Sequence, residues 1–412
     1  MKKRAISLTA ALLIAIMCIA SLSSCFVLDN GGNGAIPDGA TINVQGGDTY
    51  HVNIENPVDA KVTAAAKGLM SAVSIIAYHS GYNSGYGSGF GSGDIQGASR
   101  GSGIIYKMDK SSGTAYIVTN HHVLYDKDTG ISRNIKVMLY GQETSDYAIN
   151  ATYVGGSLQY DLAVLKISSN TLIMSSNMVE ATVADSNNVQ VLESVIAIGN
   201  AQGDGIAVTA GHVNVESEYI TILAADEKTE VNIRVIRTDA AVNPGNSGGG
   251  LFNLHGELVG IVNAKSISSD VDNMGYAIPS NVVKGIADNI IYYCDNTQKT
   301  TPYKCTLGIS VISTNPEVLY DEKTGTLNRI ELVKISSVDT ASDDIKNKIL
   351  VGDIITKISV DGKETTVTRR HHVIDAMLDA RVGSKIVLTL IRDGHTFNCT
   401  VTATSGMINE CK

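Results

Sequence analysis

A serine set among glycines is the first feature of this sequence that could do chemistry. Ser247 lies within the segment NPGNSGG at positions 243–249. A serine nucleophile needs an exposed hydroxyl beside backbone N–H groups that stabilise an oxyanion, and flanking glycines let the chain turn tightly enough to present both. Because glycine-rich loops with a serine are also common as plain turns, the segment alone leaves both interpretations open.

A serine hydroxyl is weakly nucleophilic until a base accepts its proton, so the hypothesis requires a histidine. Two of the nine histidines, His121 and His122, directly follow the apolar run at 116–119, where the end of a strand could hold an imidazole at a cleft. Neighbouring residues of an extended segment point to opposite sides, so only one of the two can face Ser247.

A carboxylate must then accept the imidazole N–H, fix its tautomer and stabilise the imidazolium. We assign Asp161 to this role, because it heads the apolar run DLAVLK at 161–166 and is unfavourable to bury there without a partner. Asp126, Asp128 and Asp146 lie in polar, turn-like segments, where a solvated carboxylate is expected.

The segments around these residues have the pattern of a β-rich domain. Between 61 and 289, short β-like runs recur with turn residues between them, for example at 73–78, 162–167 and 258–264. This spacing predicts a sandwich or a pair of barrels rather than alternating strands and helices. A helix with Ser280 as its N-cap is predicted to close the domain.

A second compact unit follows a Thr-rich connector at 297–302. It contains the segment LVGDII at 350–355, a helical stretch at 371–380 and a strand at 385–392. Turns such as Asp361-Gly362 punctuate these elements, so the sequence predicts a small mixed domain here.

The N-terminal residues read as an export signal. A basic start at 2–4 precedes an apolar run at 5–22 and the tetrapeptide LSSC that ends at Cys25. The tetrapeptide resembles a bacterial lipobox, which implies a lipidated Cys25 as the mature N-terminus. An uncleaved signal anchor and ordinary signal cleavage are the alternatives. The Gly-, Asn- and Asp-rich residues that follow predict a tether, with a hairpin around 46–48.

Composition narrows the class of protein further. With 412 residues, 18% charged residues, 40 glycines and 6 prolines, the chain suits a multidomain, β-rich globular protein. A net charge of −9 without a stripe of Lys and Arg argues against a nucleic-acid partner. The sequence has no phosphate-binding loop and no paired Cys or His spacing typical of zinc, so neither ATP nor any cofactor or metal is expected.

The cysteines of the mature chain leave their redox state open. Once the signal is removed and Cys25 is lipidated, Cys294, Cys305, Cys399 and Cys411 remain. A Cys294–Cys305 bridge across the domain linker and free thiols are the two alternatives that the sequence offers.

The order His, Asp, Ser and several further motifs resemble the trypsin-like HtrA/Deg serine proteases over most of 61–404. Segments GSGII at 101–105, AIGN at 197–200, GELVGI at 256–261 and GYAIPS at 275–280 match that family. Its histidine follows Thr-Asn-x and precedes Val, which selects His122. The resemblance implies two six-stranded barrels, with His122 and Asp161 on the first and Ser247 on the second. Backbone N–H groups of Gly245, Asn246 and Ser247 would form the oxyanion hole.

The C-terminal unit resembles a PDZ domain. Residues Leu307, Gly308 and Ile309 match the loop whose backbone N–H groups hold a peptide C-terminus, and the following strand would pair with the peptide.

The chain departs from the family pattern at 201–202, where Ala-Gln replaces the usual Pro and aromatic residue, and at Lys265. The family generally cuts after small aliphatic residues. A lysine at the rim of the specificity pocket would instead attract acidic side chains of the substrate.

These features together predict a mainly β protein, a double six-stranded trypsin-like barrel followed by an α/β PDZ domain. The expected function is an ATP-independent endopeptidase of the cell envelope that degrades misfolded or unfolded polypeptides through an acyl-enzyme and binds C-terminal peptides. A chaperone or peptide-sensing protein with little proteolysis is the alternative. The resemblance also implies a homo-oligomer, a trimer or a multiple of one.

The predicted divisions are a signal at 1–24, a tether at 25–60, a protease domain at 61–292, a linker at 293–304, a PDZ domain at 305–405 and a tail at 406–412.

Overall fold

A computed structural model describes residues 40–43, 49–52, 59–79, 97–264, 274–339 and 343–411. The predicted signal, Cys25 and most of the tether lie outside the described residues. The chain divides into two compact units, 1–59 and 60–412. In the first unit, strands β1 (Ala40–Asn43) and β2 (Thr49–Val52) pair antiparallel, while the predicted turn at 46–48 lies outside the described residues.

The first barrel closes in the strand order β10-β5-β4-β3-β8-β9. β10 is apolar on both sides because its successive residues serve two cores: Ala163 and Leu165 fill the barrel, while Leu162 and Val164 join the layer between the barrels. The elements are α1 (Ala60–Leu69), β3 (Ala72–Tyr78), β4 (Ala98–Asp109), β5 (Thr114–Thr119), α2 (His121–Leu124), β6 (Tyr125–Asp126), β7 (Gly130–Ile131), β8 (Asn134–Leu139), β9 (Ile149–Ser157), β10 (Leu162–Ile167) and α3 (Thr171–Ser175).

The second barrel closes in the order β11-β12-β13-β16-β15-β14. Ile196 and Phe252 of this barrel pack in the shared layer with Val283 and Ile286 of the closing helix, so one apolar layer ties both barrels to that helix. The elements are β11 (Ser194–Gly199), β12 (Ala207–Leu223), β13 (Glu230–Thr238), β14 (Gly250–Asn253), β15 (Leu258–Asn263), β16 (Gly275–Pro279) and α4 (Ser280–Cys294).

The start of α4 differs in detail from the prediction. Pro279 is the N-cap, and Ser280 is the first helical residue. The Ser280 hydroxyl donates to the Ala184 carbonyl at 2.7 Å and caps no helix N–H. The predicted N-cap was therefore wrong, because a loop distant in sequence takes this hydroxyl.

The C-terminal unit is a sheet in the order β18-β19-β20-β22-β23, with β21 on β20 and a separate β17–β24 pair. Val333, Ile355 and Leu388 of the sheet pack on Val373 and Met377 of α6. The elements are β17 (Tyr303–Cys305), β18 (Ile309–Asp321), β19 (Thr326–Val338), α5 (Asp343–Lys346), β20 (Ile354–Val360), β21 (Lys363–Thr366), α6 (Arg370–Leu378), β22 (Lys385–Arg392), β23 (His395–Thr402) and β24 (Ile408–Glu410).

The expected fold class is confirmed: the protein is mainly β, with two closed six-stranded barrels before the C-terminal unit. Within the described ranges no helix is both long and apolar enough to cross a membrane.

Cys294 and Cys305 do not form the bridge that the sequence allowed. Both are buried thiols, as is Cys411. Burial raises the pKa of each of these three thiols to about 11, which makes them poor nucleophiles at neutral pH.

The motif LVGDII places a buried ion pair at the base of the C-terminal sheet. Asp353 is 1% exposed and accepts bonds from Arg392 Nε at 2.7 Å, Arg392 Nη2 at 2.8 Å and the Leu350 N–H at 2.8 Å. Burial alone would raise the pKa of Asp353, but the hydrogen bonds and the charge of Arg392 lower it below its usual range. A lowered carboxyl pKa means that this pair stabilises the fold above the unfolded-state pKa and is lost as the pH falls through the folded-state pKa.

We expect Asp353→Asn to lower the free energy of unfolding by about 2 kcal/mol at pH 7, since charge-assisted bonds to a buried carboxylate are lost. Urea unfolding at pH 7 and at pH 3 measures the free energy of unfolding of the variant and of the parent. The difference between the two proteins should be smaller at pH 3. Glu364→Gln, which breaks only the exposed pair with Lys357, is the control and should change little. An equal gap at both pH values would contradict the assignment.

Candidate active site

Ser247 lies in the turn between β13 and β14, where the second barrel meets the first. It is 5% exposed, and its carbonyl accepts the Ser102 N–H at 2.8 Å. Gly248 has φ +84° and sits so close to the Ser102 carbonyl that a Cβ would clash with it. The glycine beside the serine is therefore required by both backbone conformation and space.

His122 and Asp161 are joined by two hydrogen bonds on the first barrel. The His122 Nδ1 lies 2.6 Å from Asp161 Oδ2, and the His122 backbone N–H donates to Oδ1 at 3.0 Å. Burial would raise the pKa of Asp161, but the charge and hydrogen bonds of His122 hold it below its usual range. An ionised Asp161 fixes the proton on Nδ1 and leaves Nε2 free to accept a proton.

Two asparagines that sequence reasoning missed hold Asp161 in place. The Asn263 amide Nδ2 donates to Asp161 Oδ2 at 2.8 Å, and the Asn120 amide Nδ2 donates to the Asp161 carbonyl at 2.9 Å. Asp161 itself has φ +49°, an uncommon conformation for this residue type. Asn120 lies in the motif Thr-Asn-x-His, so a signal existed for it. Nothing in the sequence around Asn263 indicates that β15 approaches Asp161.

We expect Asn263→Ala to lower kcat on a chromogenic peptide roughly tenfold with little change in KM, because one charge-assisted bond that positions Asp161 is lost. Asn263→Ser keeps a hydrogen-bond donor on a shorter side chain, so its kcat should lie between those of the parent and Asn263→Ala. Asn150→Ala removes an exposed asparagine on β9 and is the control. An unchanged kcat in Asn263→Ala would exclude a positioning role.

His121 is buried, and its ring nitrogen Nδ1 has no hydrogen-bond partner among the described residues. It is 5% exposed, its ring lies 5.5 Å from that of Tyr125, and burial lowers its pKa to about 4. Its backbone N–H donates to the Asp161 carbonyl at 3.1 Å, but its imidazole does not bond the carboxylate. The structure thus brings His122, rather than His121, to Asp161.

The Ser247 hydroxyl has a partner other than His122. Its Oγ accepts the Ala264 N–H at 3.2 Å, and among the described residues no hydrogen bond joins it to the imidazole. Serine–histidine bonds are often long in unliganded enzymes and shorten when substrate binds.

The oxyanion-hole assignment needs one correction. The Asn246 N–H donates to the Asn243 carbonyl at 3.0 Å, so this residue is not an available donor. Within the described part of the chain, the N–H groups of Gly245 and Ser247 donate no hydrogen bond. Ser102 supports this arrangement, since its hydroxyl donates to the Gly245 carbonyl at 2.8 Å and accepts the Asn200 N–H at 2.7 Å. Lys265 lies outside the described residues.

The predicted peptide-binding residues line a cavity of about 410 Å³ between the C-terminal unit and the second barrel. Gly308 has φ +66°, which lets the loop turn into β18. The cavity is lined by Leu307, Gly308, Ile309 and Val311, by Val373, Ile374 and Met377 of α6, and by Tyr160, Tyr219, Ile233 and Arg234 of the barrels.

Charged contacts join the barrel to α6 at this cavity. Arg234 Nη2 lies 2.5 Å from Asp375 Oδ2, and the two side chains are 5% and 8% exposed. Burial raises the pKa of Asp375 to about 6 although Arg234 opposes the shift. Arg369 binds Glu216 at 3.0 Å. The second barrel therefore covers part of the groove in which a peptide would lie. Sequence reasoning did not predict this contact.

No three His, Cys, Asp or Glu side chains come together as a metal site in the described ranges. Two barrels that bring a histidine–aspartate pair beside a glycine-flanked serine define the class of trypsin-like serine peptidases. A model of the trypsin-like peptidase domain matches residues 101–261, and a PDZ domain model matches residues 305–402.

Curated relatives narrow the class to a family. The chain is 33% identical over 321 residues to the "Serine protease Do-like HtrA" of Lactococcus lactis, which covers 73% of this chain and 70% of that protein. It is 35% identical over 301 residues to the Bacillus subtilis protein of the same name, covering 71% of this chain and 61% of that protein. The solved structure "HtrA-type protease AlgW with tripeptide" matches at a TM-score of 0.50 and 26% identity, covering 83% of this chain and 96% of that chain. The protein belongs to the HtrA family of serine proteases and carries one C-terminal PDZ domain.

Proposed function

We propose that this HtrA serine protease is an envelope endopeptidase that degrades misfolded or unfolded polypeptides without ATP. Ser247 is the nucleophile, His122 the general base and Asp161 the residue that orients the imidazole. The observation that carries these roles is the His122–Asp161 pair, joined by two hydrogen bonds on the first barrel, together with Ser247 on the second. In the described part of the chain the N–H groups of Gly245 and Ser247 donate no hydrogen bond.

Acylation follows from this geometry. His122 Nε2 accepts the Ser247 hydroxyl proton as Oγ attacks the scissile carbonyl, and the Gly245 and Ser247 N–H groups stabilise the oxyanion. The imidazolium then protonates the leaving amine. In deacylation the same imidazole takes a proton from water as the water oxygen attacks the acyl carbonyl. The imidazolium then returns the proton to Ser247 Oγ as the ester bond breaks and the second product leaves as a carboxylic acid.

The PDZ groove gives this protease a second point of contact with its substrate. Leu307, Gly308 and Ile309 hold the C-terminal carboxylate of a polypeptide, and β18 pairs with the residues before it. The matched structure with a bound tripeptide supports a peptide as the ligand.

The N-terminal sequence supports a location on the extracytoplasmic side of the cell membrane. Export and lipidation at Cys25 would fix the enzyme on the outer side of the cell membrane, where the polar tether gives it reach. Metabolic labelling with a fatty-acid analogue, compared between the parent and Cys25→Ala, tests this anchor.

Casein degradation by the purified chain, together with labelling by a fluorophosphonate, tests the protease proposal. Labelling that maps to Ser247 and cleavage without ATP are the expected results. A chain that prevents aggregation of unfolded protein but neither cleaves casein nor reacts with the probe would favour the chaperone alternative.

A further inference from the structure

The β18–β19 hairpin extends beyond the PDZ sheet. β19 pairs with β20 only at Val333 and Lys334, so in the described structure residues 317–330 pair only with each other. We call these residues the distal ribbon. Isolated two-stranded ribbons are marginally stable and are usually short or polar. Here Val318, Tyr320 and Leu327 are 61–64% exposed, which is unusual for a ribbon without a partner.

These three side chains share one face of the distal ribbon. The register pairs Tyr320 with Leu327 and Val318 with Arg329. Cross-strand partners in an antiparallel pair lie on the same face, as do residues two apart along a strand. The face therefore presents three apolar side chains and one arginine, all exposed.

The same face continues into the ligand groove. β19 has no irregularity between 326 and 335, so its odd-numbered residues all lie on one side of the sheet. Val333 and Ile335 are buried in the core formed with α6. Glu331 is the next residue on this side of β19 toward the distal ribbon. Its Oε1 lies 3.4 Å from Nε of Arg369, the residue before α6. The apolar face is thus the outward extension of the sheet face on which α6 packs.

A bulge governs how a ligand could use this extension. The β18–β19 register shifts between Thr314 and Glu317, Asn315 has φ +50°, and Pro316 has no N–H. Bulges and prolines prevent continuous pairing along an edge strand. A polypeptide leaving the groove would therefore contact the distal ribbon through side chains rather than through a continued backbone ladder.

We propose that this face binds apolar side chains that lie about 8 to 11 residues before the C-terminus of a polypeptide held in the PDZ groove. The inference rests on the proposed peptide-binding role of the groove. A ligand strand runs antiparallel to β18 with its carboxylate at the start of the strand. Val318 and Tyr320 stand 9 and 11 positions beyond Ile309, which sets the spacing.

The ligand is an extended segment of unfolded protein. Continuity with the groove supports this occupant. The turn and the face carry Asp321 and Glu322 against Lys323 and Arg329, so they form no basic cluster of the kind that binds an anionic membrane surface. Barrel residues cover part of the groove, while the distal face is open, so a long ligand can make contacts that a short one cannot.

Three fluorescent peptides test the proposal by anisotropy, with full-length Ser247→Ala protein to prevent cleavage. The first is the pentapeptide Ala-Ser-Ala-Leu-Val. The other two are 14-residue peptides that end in the same five residues. At positions 8 to 11 from the C-terminus, one of them carries Leu and Phe and the other carries only Ser. We expect the apolar long peptide to bind five- to tenfold more tightly than the other two. Because this comparison varies only the ligand, it does not depend on the folding of a ribbon variant.

Variants then locate the effect. In Val318→Ser/Leu327→Ser the advantage of the apolar peptide should disappear while pentapeptide binding is kept. Leu319→Ser, on the opposite face, should retain the advantage. Equal binding of both long peptides would overturn this inference and leave the groove proposal intact. Failure of all three peptides to bind would reject both. A change in oligomeric state by sedimentation, with peptide binding unaltered, would instead assign the face to contact between copies.

Discussion

Ser247→Ala is expected to lower kcat for a chromogenic peptide roughly 10⁶-fold, which leaves a residual rate about 10³ to 10⁴ times the uncatalysed one, supplied by the oxyanion hole and by substrate binding. The substitution removes one hydroxyl from the turn between β13 and β14. The bonds that shape this turn, from the Ser102 N–H and hydroxyl to the Ser247 and Gly245 carbonyls, involve no atom of the Ser247 side chain. The variant loses only the 3.2 Å bond that the Ala264 N–H donates to Ser247 Oγ, so thermal unfolding should change little, and fluorophosphonate labelling should be lost. Full activity in the folded variant would reject Ser247 as nucleophile.

A pair of histidine variants provides the matched control. His122→Ala should lose about as much activity as Ser247→Ala, because the two residues act as one unit. His121→Ala should keep the His122–Asp161 bonds but lose stability, since the buried His121 ring leaves a cavity beside Tyr125 and Tyr153. If His121→Ala were stable and inactive while His122→Ala remained active, the assignment of the base would be wrong.

The pairing of His122 with Asp161 and the position of Ser247 beside the first barrel could be predicted from the sequence, because each residue stands in a local pattern. Ser247 stands among glycines, His122 at the end of a strand and Asp161 at the head of one. The bounds of β22 were likewise predicted correctly, because an apolar alternation ended at an Asp-Gly turn.

The residues that support the site were not accessible, because they depend on contacts between segments far apart in sequence. Asn263 reaches Asp161 across 102 positions, and the Ser280 hydroxyl bonds a carbonyl 96 positions away. The Asn246 N–H was assigned to the oxyanion hole by resemblance, yet the local turn takes it up. Arg234 and Asp375 are 141 positions apart, and neither stands in a pattern that predicts a buried pair.

That buried pair bears on how a bound peptide affects catalysis. Barrel residues line the same cavity as Gly308, so we expect a ligand that enters it to compete with them and its binding to be coupled to the Arg234–Asp375 contact. A ligand shifts a protein between two states only by the difference in its affinity for them. Loss of the barrel contact supplies such a difference. Tethering is the alternative, in which a held C-terminus raises the local substrate concentration and nothing switches.

The test uses a small chromogenic substrate that does not contact the PDZ groove when it is bound at the active site. We expect a C-terminal peptide added in trans to raise the turnover of this substrate roughly 10- to 100-fold. Arg234→Met/Asp375→Leu replaces the buried pair without leaving an unpaired charge and should raise turnover in the absence of peptide. Arg237→Met, in the same strand but paired with Glu218 nearer the surface, is the control and should behave as the parent. Gly308→Trp should abolish the response to peptide, because it blocks the groove and strains a left-handed backbone. Turnover that stays flat at saturating peptide, while cleavage of peptide-tagged proteins still requires Gly308, would refute the switch and establish tethering, since only tethering acts without changing the active site.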